Sequence, residues 1–544
     1  MSDGGTMSGG AAVTVACLIA VLFVAVVWPG AASAGPSVSR EQAIAAADRD
    51  PNVREYERGE GELAATATVN DGGRWEVAYF SDGEQLALVV VDRDSGEVVE
   101  SWTGHQVAWK MARGYSGAFG HKLNAPYVFL PLCAIFLLGL VDWRRWRRVA
   151  NLDLLVLLAF GISHYFFNRA NIGVSVPLVY PVLLYLLGRC LWIGWRGMGE
   201  GLRPIWPVAW MLVAALFLMG FRVGLNVADS GAIDVGYAGV VGADRIAHGE
   251  PIYDNFPDDI SSGDTYGPVN YLTYVPFEAI WPWSGEWDDI PAAHGAAVLF
   301  DVGTFLLLIV LGMRIRPGPA GHRLATTLAF GWAAYPYTAY ALESNSNDAL
   351  IAALLVATLL FAAKPLARGA LLAGAVWTKF VAAPLAPMYL TYSKGPSSAG
   401  GVRARPRAQD TPGRPALLFI AAFSLATAAV LLWPALDPGL TTFYDRTIAT
   451  QAGRESPFSI WGQTSLEPIR IALLVGLGAL SVALAFVPRR KSLVQLAALS
   501  AALLILLQLT LQHWFYLYIV WFYPLLLIAL AALPARTSRP DPAG

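Results

Sequence analysis

Long runs of apolar residues recur along this chain, and they limit its fold more than any other feature. A helix needs about 20 mostly apolar residues to cross a bilayer, and eleven runs approach that length. They lie near 126–142, 152–168, 175–195, 204–223, 293–313, 322–341, 348–363, 415–434, 468–488, 492–512 and 514–533. Only 14% of the residues are charged, against about 25% in an ordinary soluble domain. We therefore expect a polytopic α-helical membrane protein with about 11–12 transmembrane helices.

The N-terminus reads as a targeting segment. Residues 11–29 are apolar and are followed by PGAASAG, in which Ala32-Ser33-Ala34 has the small-x-small form of a cleavage site. Residues 1–34 are therefore predicted to be a signal peptide or a retained signal anchor. Either alternative places the following segment outside the cytoplasm.

Residues 35–122 contain the only sizeable water-soluble segment. Ser39 and Gln42 can form a capping box ahead of a short helix. Strand-like stretches follow, and Asp94-Ser95-Gly96 marks a hairpin turn between the last two strands. This predicts a small α+β domain in which a helix packs on an antiparallel sheet. The stretch VVVDRDSGEVVESWTG resembles the PepSY-type domain found beside bacterial membranes, which implies a regulatory or binding module.

Basic loops predict the orientation of the spans, because Lys and Arg concentrate on the cytoplasmic side. The stretches 143–148, 314–323, 394–414 and 488–491 are rich in Arg or Lys and are predicted to be inside. This places 226–292 and 437–467 outside, beside the N-terminal domain, in a multi-pass plasma-membrane protein. The segment 264–277 is predicted to lie in the membrane interface.

The segment 369–392 breaks this alternation, since both of its flanks are basic. A re-entrant pair of half-helices would keep both flanks inside, with Lys379 near its tip and Pro384 and Pro387 in the return limb. A tilted single helix is the alternative. Non-helical backbone at that depth has to line a cavity or be buried in protein.

Several classes of function have no support in the sequence. The net charge is −2, and no basic stripe suggests a nucleic-acid partner. Cys17, Cys133 and Cys190 lie in apolar runs and form no disulfide or metal pattern. Neither a P-loop nor a dinucleotide-binding fingerprint is present. Acidic residues are numerous enough to hold a divalent metal, but no spacing requires one.

Two carboxylates, Asp229 and Asp234, follow the apolar run that ends near residue 223. Asp234 is flanked by Ile233 and Val235, with Tyr237 close behind. A carboxylate held against apolar neighbours at a bilayer surface can have a raised pKa and act as a base. Solvation in an outer loop is the simpler interpretation for most acids of the 226–292 segment.

Three further groups of residues could bind a substrate. The turn LESNSND contains Asn345, Asn347 and Asp348, which either cap the next helix or form a hydrogen-bonding wall. Arg446 and Arg454 either hold a lipid phosphate or extend to the interface. His513 stands among aromatic residues at a predicted outer edge of the membrane.

The stretch IDVGYAGVVGADRIAHGEPIYD, together with DTYGP, NSND and GALLAGAVWTKFVAAPL, resembles a family of membrane glycosyltransferases. These enzymes have the C-type fold and use polyprenyl-phosphate sugars (the glycosyltransferase 87 group, which is mannosyltransferase-like). The resemblance covers roughly 204–534. The family often has Gly-Gln where this chain has Ser346-Asn347. The resemblance therefore divides the membrane part of the chain in two. Residues 123–200 are predicted to form a three-helix membrane segment, and residues 201–544 the catalytic membrane core.

The resemblance implies a sugar such as mannose or arabinofuranose, a polyprenyl-phosphate donor, and a cell-envelope glycan or glycolipid acceptor. Asp234 matches the proposed base, with Asp229 as its neighbour. Arg222, Lys379, Arg446 and Arg454 are the candidate cations for the leaving phosphate. Tyr237, Tyr266, Asn345, Asn347, Asp348 and His513 complete the expected binding groups.

Two other classes of function fit parts of the sequence. A membrane transporter or lipid-linked-sugar flippase would explain a broken segment with a polar residue at depth, but no inverted repeat is found. A non-enzymatic scaffold that presents the N-terminal domain would leave the acidic outer loop without a role.

Overall fold

The structure is a computed structural model, and it describes two stretches of the chain. The first is residues 38–393, apart from 62, 71–72, 82–83, 109, 115–118, 258–259 and 288, and the second is residues 413–534, apart from 454–455. The predicted signal segment 1–34 therefore lies outside the described residues. The chain divides into two compact units, with the boundary between Thr103 and Gly104.

The first unit is a four-stranded antiparallel sheet with two helices. The helices are α1 (Arg40–Ala47) and α2 (Pro51–Glu60), and the strands are β1 (Ala64–Val69), β2 (Trp75–Ser81), β3 (Glu84–Val91) and β4 (Val98–Thr103). The strand order β1-β2-β3-β4 is a simple meander. Ala43 and Ala47 of α1 share a buried core with Val77 and Val89, which pair across β2 and β3. The predicted small helix-on-sheet domain is thus present in outline.

The local signals in this unit act as predicted. The Ser39 hydroxyl accepts from the backbone N–H of Gln42, and the Gln42 side chain accepts from the backbone N–H of Ser39, so the capping box is formed. The carboxylate of Asp92 accepts from the backbone N–H groups of Asp94 and Ser95. Gly96 has φ 74°, a conformation that glycine adopts without steric cost. This turn joins β3 to β4.

The second unit is almost entirely helical. Its long helices are α3 (Pro126–Leu140), α4 (Val149–Phe167), α5 (Ile172–Arg196), α6 (Val208–Ala228), α7 (Asp234–His248), α8 (Pro291–Ile315), α9 (Gly318–Ala334), α10 (Pro336–Glu343), α11 (Asp348–Leu360), α12 (Pro365–Lys379), α13 (Arg414–Leu436), α14 (Glu467–Phe486), α15 (Leu493–Gln508) and α16 (Ile519–Ala532). Short helices are found at His105–Ala108, Pro268–Leu272, Val275–Glu278, Ala386–Leu390, Leu440–Tyr444, Thr450–Gly453 and Ile460–Gln463. Single 3₁₀ turns lie at Lys110–Ala112, His121–Asn124, Trp143–Arg145, Ala383–Leu385 and Tyr516–Tyr518, and Asp445–Ala449 form a π-helical turn.

Among the described residues, six helices are long and apolar enough to cross a membrane. They are α4, α5, α6, α8, α13 and α14. In α13 the mean hydropathy is 2.3, yet only 6% of the apolar window is buried inside the protein. Such an apolar surface, left outside the protein core, suits contact with lipid. The chain is a mostly helical protein whose apolar helices are consistent with a multi-pass membrane protein.

Six of the about 11–12 predicted spans are helices of at least 18 residues in the described part of the chain. The predicted span 322–341 is divided into α9 and α10, because Tyr335 precedes Pro336 and takes an extended conformation, with ψ 124°. Thr338 donates to the carbonyls of Trp332 and Tyr335, and the carbonyl of Trp332 has lost its helical partner because Pro336 has no N–H. The runs at 126–142, 348–363, 492–512 and 514–533 form apolar helices of fewer than 18 residues.

The segment predicted to be re-entrant does break at Lys379. This residue ends α12, and Phe380 follows with φ 56°. The chain then continues through Ala383–Leu385 and Ala386–Leu390, which contain Pro384 and Pro387. The break in the helix is therefore observed, and its re-entrant path through a bilayer stays a prediction.

The two compact units meet between Thr103 and Gly104, and the predicted divisions after residues 122 and 200 stay predictions. Gln106 donates to the carbonyl of Asn168 in the second unit, so the chain joins that unit soon after β4 ends. Arg148 donates to the carbonyl of Gly201, and Leu202 donates to that of Leu530, so the parts predicted on either side of residue 200 share contacts.

Candidate functional site

Asp234 is the first residue of α7, a helix that the sequence did not reveal. Its carboxylate accepts from the backbone N–H of Val235 at 2.8 Å, and the side chain is half-buried. The first turn of a helix stabilises a negative charge through the unpaired N–H groups and the helix dipole. Asp234 thus stands in the first turn of a helix, where the helix dipole favours a carboxylate, and not in an irregular loop.

Three glycines explain why α7 packs so closely at this point. A Cβ on Gly236 would lie 2.2 Å from the carbonyl oxygen of Asn345. Cβ atoms on Gly239 and Gly242 would meet the rings of Tyr274 and Tyr271 at 2.6 and 2.2 Å. The spacing of three places these glycines along one face. This spacing, visible in DVGYAGVVGAD, is the signal that could have revealed α7.

Aromatic side chains follow Asp234 on the same helix and on the next loop. Tyr237, predicted as a binding group, is buried, and its ring stacks on Trp287 with centroids 4.4 Å apart. Trp283 meets Tyr237 edge-on at 5.9 Å. Trp287 donates to the carbonyl of Ala232 at 3.0 Å, which ties these rings to the residues just before Asp234.

The polar turn 343–348 is fully buried, and it packs against the start of α7. The backbone N–H of Ile233 donates to the carbonyl of Ser344 at 2.9 Å. The Asn345 amide donates to Ser230 and to the carbonyl of Gly231, and it accepts from Asn226 at 2.8 Å. Asn345 therefore holds the loop before Asp234 in place.

The other end of the turn contacts a different part of the outer segment. Asn347 donates to the side chain of Asn270. Asp348 accepts from Lys379 at 2.6 Å and from the indole N–H of Trp521 at 2.7 Å. The turn thus connects the Asp234 region with the end of α12 and the start of α16.

Lys379 lies among aromatic rings as well as beside Asp348. Its Nζ is 5.6, 5.9 and 5.5 Å from the ring centroids of Tyr266, Tyr518 and Trp521. Ring faces attract cations, and they do so more strongly where water is excluded. The side chain of Lys379 is only 6% exposed. The predicted residues Asp348, Lys379 and Tyr266 are therefore brought together in one cluster.

The loop that contains Tyr266 is fixed by Gly267. A Cβ at this position would lie 2.0 Å from the carbonyl oxygen of Trp377 in α12. The backbone N–H of Gly267 donates to the carbonyl of Thr378 at 3.1 Å. The DTYGP stretch is thus held directly against the end of α12, beside Lys379.

Arg446 is brought to the same loop, but it already has an anionic partner. Its guanidinium makes two hydrogen bonds to Asp264, at 2.6 and 2.8 Å, and Asp264 is fully buried. Hydrogen bonding to Asp264 raises the pKa of Arg446 above its ordinary value. Such a two-pronged pair fixes the loop at Asp264 and keeps Arg446 charged.

Arg222 is not at the surface where a donor phosphate was expected. It lies within α6 and is 2% exposed, with its Nη2 2.8 Å from Asp301 in α8. It also donates to the carbonyl of Trp332 and to Thr338, beside the break between α9 and α10. In this structure Arg222 holds three helices together and does not face a ligand.

Asp229 and His513 make other contacts at the margin of this region, and the His513 ring is 6.4 Å from that of Tyr518, which lies over Lys379. Asp229 caps the end of α6 and pairs with His121 and Lys122 at 3.8 and 3.6 Å. His513 is 2.9 Å from the Ser456 hydroxyl and meets the Phe458 ring edge-on. Arg454 falls outside the described residues.

The structure adds two residues that sequence reasoning did not select, Asn270 and Tyr274, beside Glu343 of the predicted polar turn. In the described part of the chain, polar atoms of these residues are buried without a hydrogen-bond partner, as are Asn347 Oδ1 and Asp348 Oδ2. Buried polar groups are normally satisfied, because an unpaired one costs about 1–3 kcal/mol. Their concentration around one turn is a property expected of a site that closes on a polar ligand or on ordered water.

Through Glu343, the stability of the folded state should depend on pH. Burial raises its pKa to about 9, while Arg222 opposes the shift and the charges of Asp229 and Asp301 add to it. The folded state therefore holds a proton that the unfolded state loses above about pH 4.5. Stability is unaffected below that pH and decreases as the pH rises towards 9.

We expect Glu343→Gln to remove this pH dependence. In that window each pH unit lowers the free energy of unfolding by about 1.4 kcal/mol for one group that is protonated only in the folded state. The variant should therefore become increasingly more stable than the wild type between pH 5 and pH 8. The measurement is the unfolding midpoint of the purified, detergent-solubilised protein at several pH values. Parallel profiles for the two proteins would contradict the assignment.

The described residues contain no group of three or more His, Cys, Asp or Glu side chains that could hold a metal ion. The site as described offers a partly buried carboxylate, stacked aromatic rings, and buried amide, hydroxyl and carboxyl groups. A carboxylate can take a proton from a hydroxyl, and aromatic and amide groups can bind a polyhydroxylated molecule.

Comparison of the chain with protein-family models, with curated proteins and with solved structures found no match.

Proposed function

We propose that this protein is a membrane glycosyltransferase that moves a sugar from a polyprenyl-phosphate donor to a cell-envelope glycan or glycolipid. Transfer takes place on the outer face of the plasma membrane, and Asp234 is the general base. The sugar is mannose or a similar residue. The proposal rests on the motif resemblance at 204–534 and on the arrangement of the site.

One observation carries the proposal. The partly buried carboxylate of Asp234 adjoins the buried turn 343–348, in which several polar atoms have no hydrogen-bond partner. Sugar hydroxyls both donate and accept hydrogen bonds, so they suit a mixture of unpaired amide and carboxyl atoms. A base beside such groups can take the proton of an acceptor hydroxyl as it attacks the anomeric carbon.

The leaving group of the proposed reaction is a lipid phosphate. It needs cationic or hydrogen-bond stabilisation more than protonation, because it departs as a stable anion. Lys379 and Arg446 are the candidate cations on the outer side, each already balanced by an aspartate. We propose that the phosphate interacts with the Lys379–Asp348 cluster, where the aromatic rings exclude water.

The decisive experiment supplies membranes that contain the protein with a radiolabelled polyprenyl-phosphate sugar. Label should move to a glycan or glycolipid only when the protein is present. A parallel comparison of cell-envelope glycans between wild-type and deletion strains would identify the acceptor. No transfer from any polyprenyl-phosphate sugar, with an unchanged envelope, would reject the proposal.

The buried Arg222–Asp301 pair favours a second candidate, a membrane transporter. Ionisable residues within spanning helices often mark the path of an ion or a solute. A transporter would accumulate or release a solute across sealed vesicles, with no new glycosidic bond. Measuring both solute uptake and sugar transfer in the same vesicles separates the two candidates.

We expect removal of the N-terminal unit to leave transfer intact. Residues 37–103 belong to a unit with its own core, whereas all the site residues belong to the second unit. A protein lacking 37–103 but retaining the N-terminal 36 residues should insert normally and keep most of its turnover, with altered regulation or partner binding. The assay is sugar transfer per inserted protein. An inserted but inactive truncation would contradict this expectation.

A further inference from the structure

A cleft opens beside the connection between α3 and α4, well apart in sequence from the site residues. Arg144, Arg145, Trp146, Arg147, Arg148 and Glu200 line it. It is a shallow, open depression, and the space of about 620 Å³ above these residues is continuous with the solvent. Nothing in the proposed transfer reaction uses this cleft.

One arginine of the cleft, Arg148, is held in place by several contacts. Arg148 is buried, and it donates to Asp142 at 3.0 Å and to the carbonyl of Gly201 at 3.0 Å. The backbone N–H of Asp142 in turn donates to the side chain of Asn151. These contacts hold the floor of the cleft in a defined shape.

The rim of the cleft is exposed to solvent and strongly cationic. Arg144, Arg145 and Arg147 are exposed, and the Arg147 guanidinium lies 4.9 Å from the Trp146 ring centroid. Four arginines stand against two carboxylates, Asp142 and Glu200, so the cleft has an excess of positive charge. Guanidinium groups match phosphate oxygens in a two-pronged geometry.

The surroundings of the cleft indicate the edge of a bilayer. The cleft lies at the N-terminus of α4 and just beyond the C-terminus of α5, both long enough to span a membrane. Large exposed rings cluster in the flanking sequences, and two of them, Trp143 and Trp206, donate to the carbonyl of Leu138. The exposed rings are those of Trp143, Trp146, Trp192, Trp195, Trp206 and Trp210. Tryptophan is enriched at the level of lipid headgroups.

We propose that this cleft binds the phosphate headgroup of an anionic phospholipid from the cytoplasmic leaflet. The shape of the cleft, its charge and its aromatic surroundings each suit a headgroup whose acyl chains run along the apolar helices. The first turn of α4 lies at the site, and the three exposed arginines, Arg144, Arg145 and Arg147, supply the guanidinium groups that contact the phosphate. The inference does not depend on the proposed transfer reaction.

The test uses the full-length protein purified in mild detergent. Retained phospholipid is measured by native mass spectrometry after titration with phosphatidylglycerol or with phosphatidylcholine. We expect phosphatidylglycerol to bind selectively, and Arg144→Gln with Arg145→Gln to weaken that binding by about thirtyfold, as removal of two arginines near an anionic lipid surface implies. The matched control is Arg489→Gln with Arg490→Gln, which removes the same charge from an exposed basic stretch and should leave this binding unchanged.

Three results would overturn the proposal. They are equal retention of the two lipids, equal weakening by the two double variants, and full displacement of phosphatidylglycerol by millimolar inorganic phosphate, which would indicate a site for the free ion. If the glutamine variant fails to insert, Arg144→Lys with Arg145→Lys keeps the charge that sets orientation but loses the guanidinium fork. That variant should still bind phosphatidylglycerol at least severalfold more weakly, and unchanged binding would reject a built site.

Discussion

Replacing Asp234 with asparagine should reduce sugar transfer by at least about a hundredfold, the lower end of what a positioned general base contributes. Asparagine has nearly the same shape and can still accept from the backbone N–H of Val235. The amide cannot take a proton from the acceptor hydroxyl, so the loss should appear in turnover and not in the amount of inserted protein. The measurement is the initial rate of transfer per inserted protein.

Asp244→Asn is the matched control. This residue lies on the same helix as Asp234, is partly buried, and pairs with His248 near the end of α7. The chemical change is identical, but the carboxylate is about ten residues from the proposed base along the helix. Transfer should be nearly unchanged in this variant. Full activity in Asp234→Asn, or an equal loss in both variants, would remove Asp234 from the mechanism.

Breaking the ion pair between Arg222 and Asp301 should have the largest effect on stability. Both side chains are at least 98% buried, so Asp301→Asn leaves a charged guanidinium in the interior without its counter-ion. Removal of one partner of a buried pair typically costs about 3–5 kcal/mol. The amide oxygen of the variant can still accept from the indole N–H of Trp332, 2.9 Å from Asp301, so the loss reports mainly on the missing charge. The measurement is the unfolding free energy, or the melting temperature, in detergent.

Two further variants show whether the pair acts as a unit. Arg222→Met combined with Asp301→Leu removes both charges and should recover much of the lost stability, because apolar residues of similar size can replace a buried pair. Glu467→Gln is the control, since it breaks an exposed pair with Arg470 and should change stability little. A double variant as unstable as Asp301→Asn alone would show that the charges are not the source of the effect.

The pairing of the candidate cations could not be predicted from the sequence. Arg222 and Arg446 appeared as isolated basic residues near a predicted membrane edge, and Lys379 as one near the tip of the re-entrant segment. Their partners Asp301, Asp348 and Asp264 lie 79, 31 and 182 residues away along the chain. Which carboxylate meets which cation depends on how the helices pack, and neither hydropathy nor spacing carries that information.

The polar turn 343–348 shows a second limit of sequence reasoning. Its composition suggested either an exposed connection or a wall facing a substrate, but all six side chains are fully buried. The environment of a turn between two apolar helices depends on what covers it. Here α7 and the loop at Asn270 cover it, and the close approach of Gly236 to Asn345 requires the tertiary fold.

Local chemistry did determine a large part of this protein. The capping box at Ser39, the turn at Asp94–Gly96, the long apolar helices and the helix break at Lys379 follow from hydrogen bonding, backbone sterics and hydrophobicity within short windows. Only the tertiary structure decided which charges are paired, which polar atoms remain without partners, and where Asp234 stands relative to the turn 343–348. The physical reason is that burial and pairing depend on residues distant in sequence, whereas helices, caps and turns form from neighbouring residues.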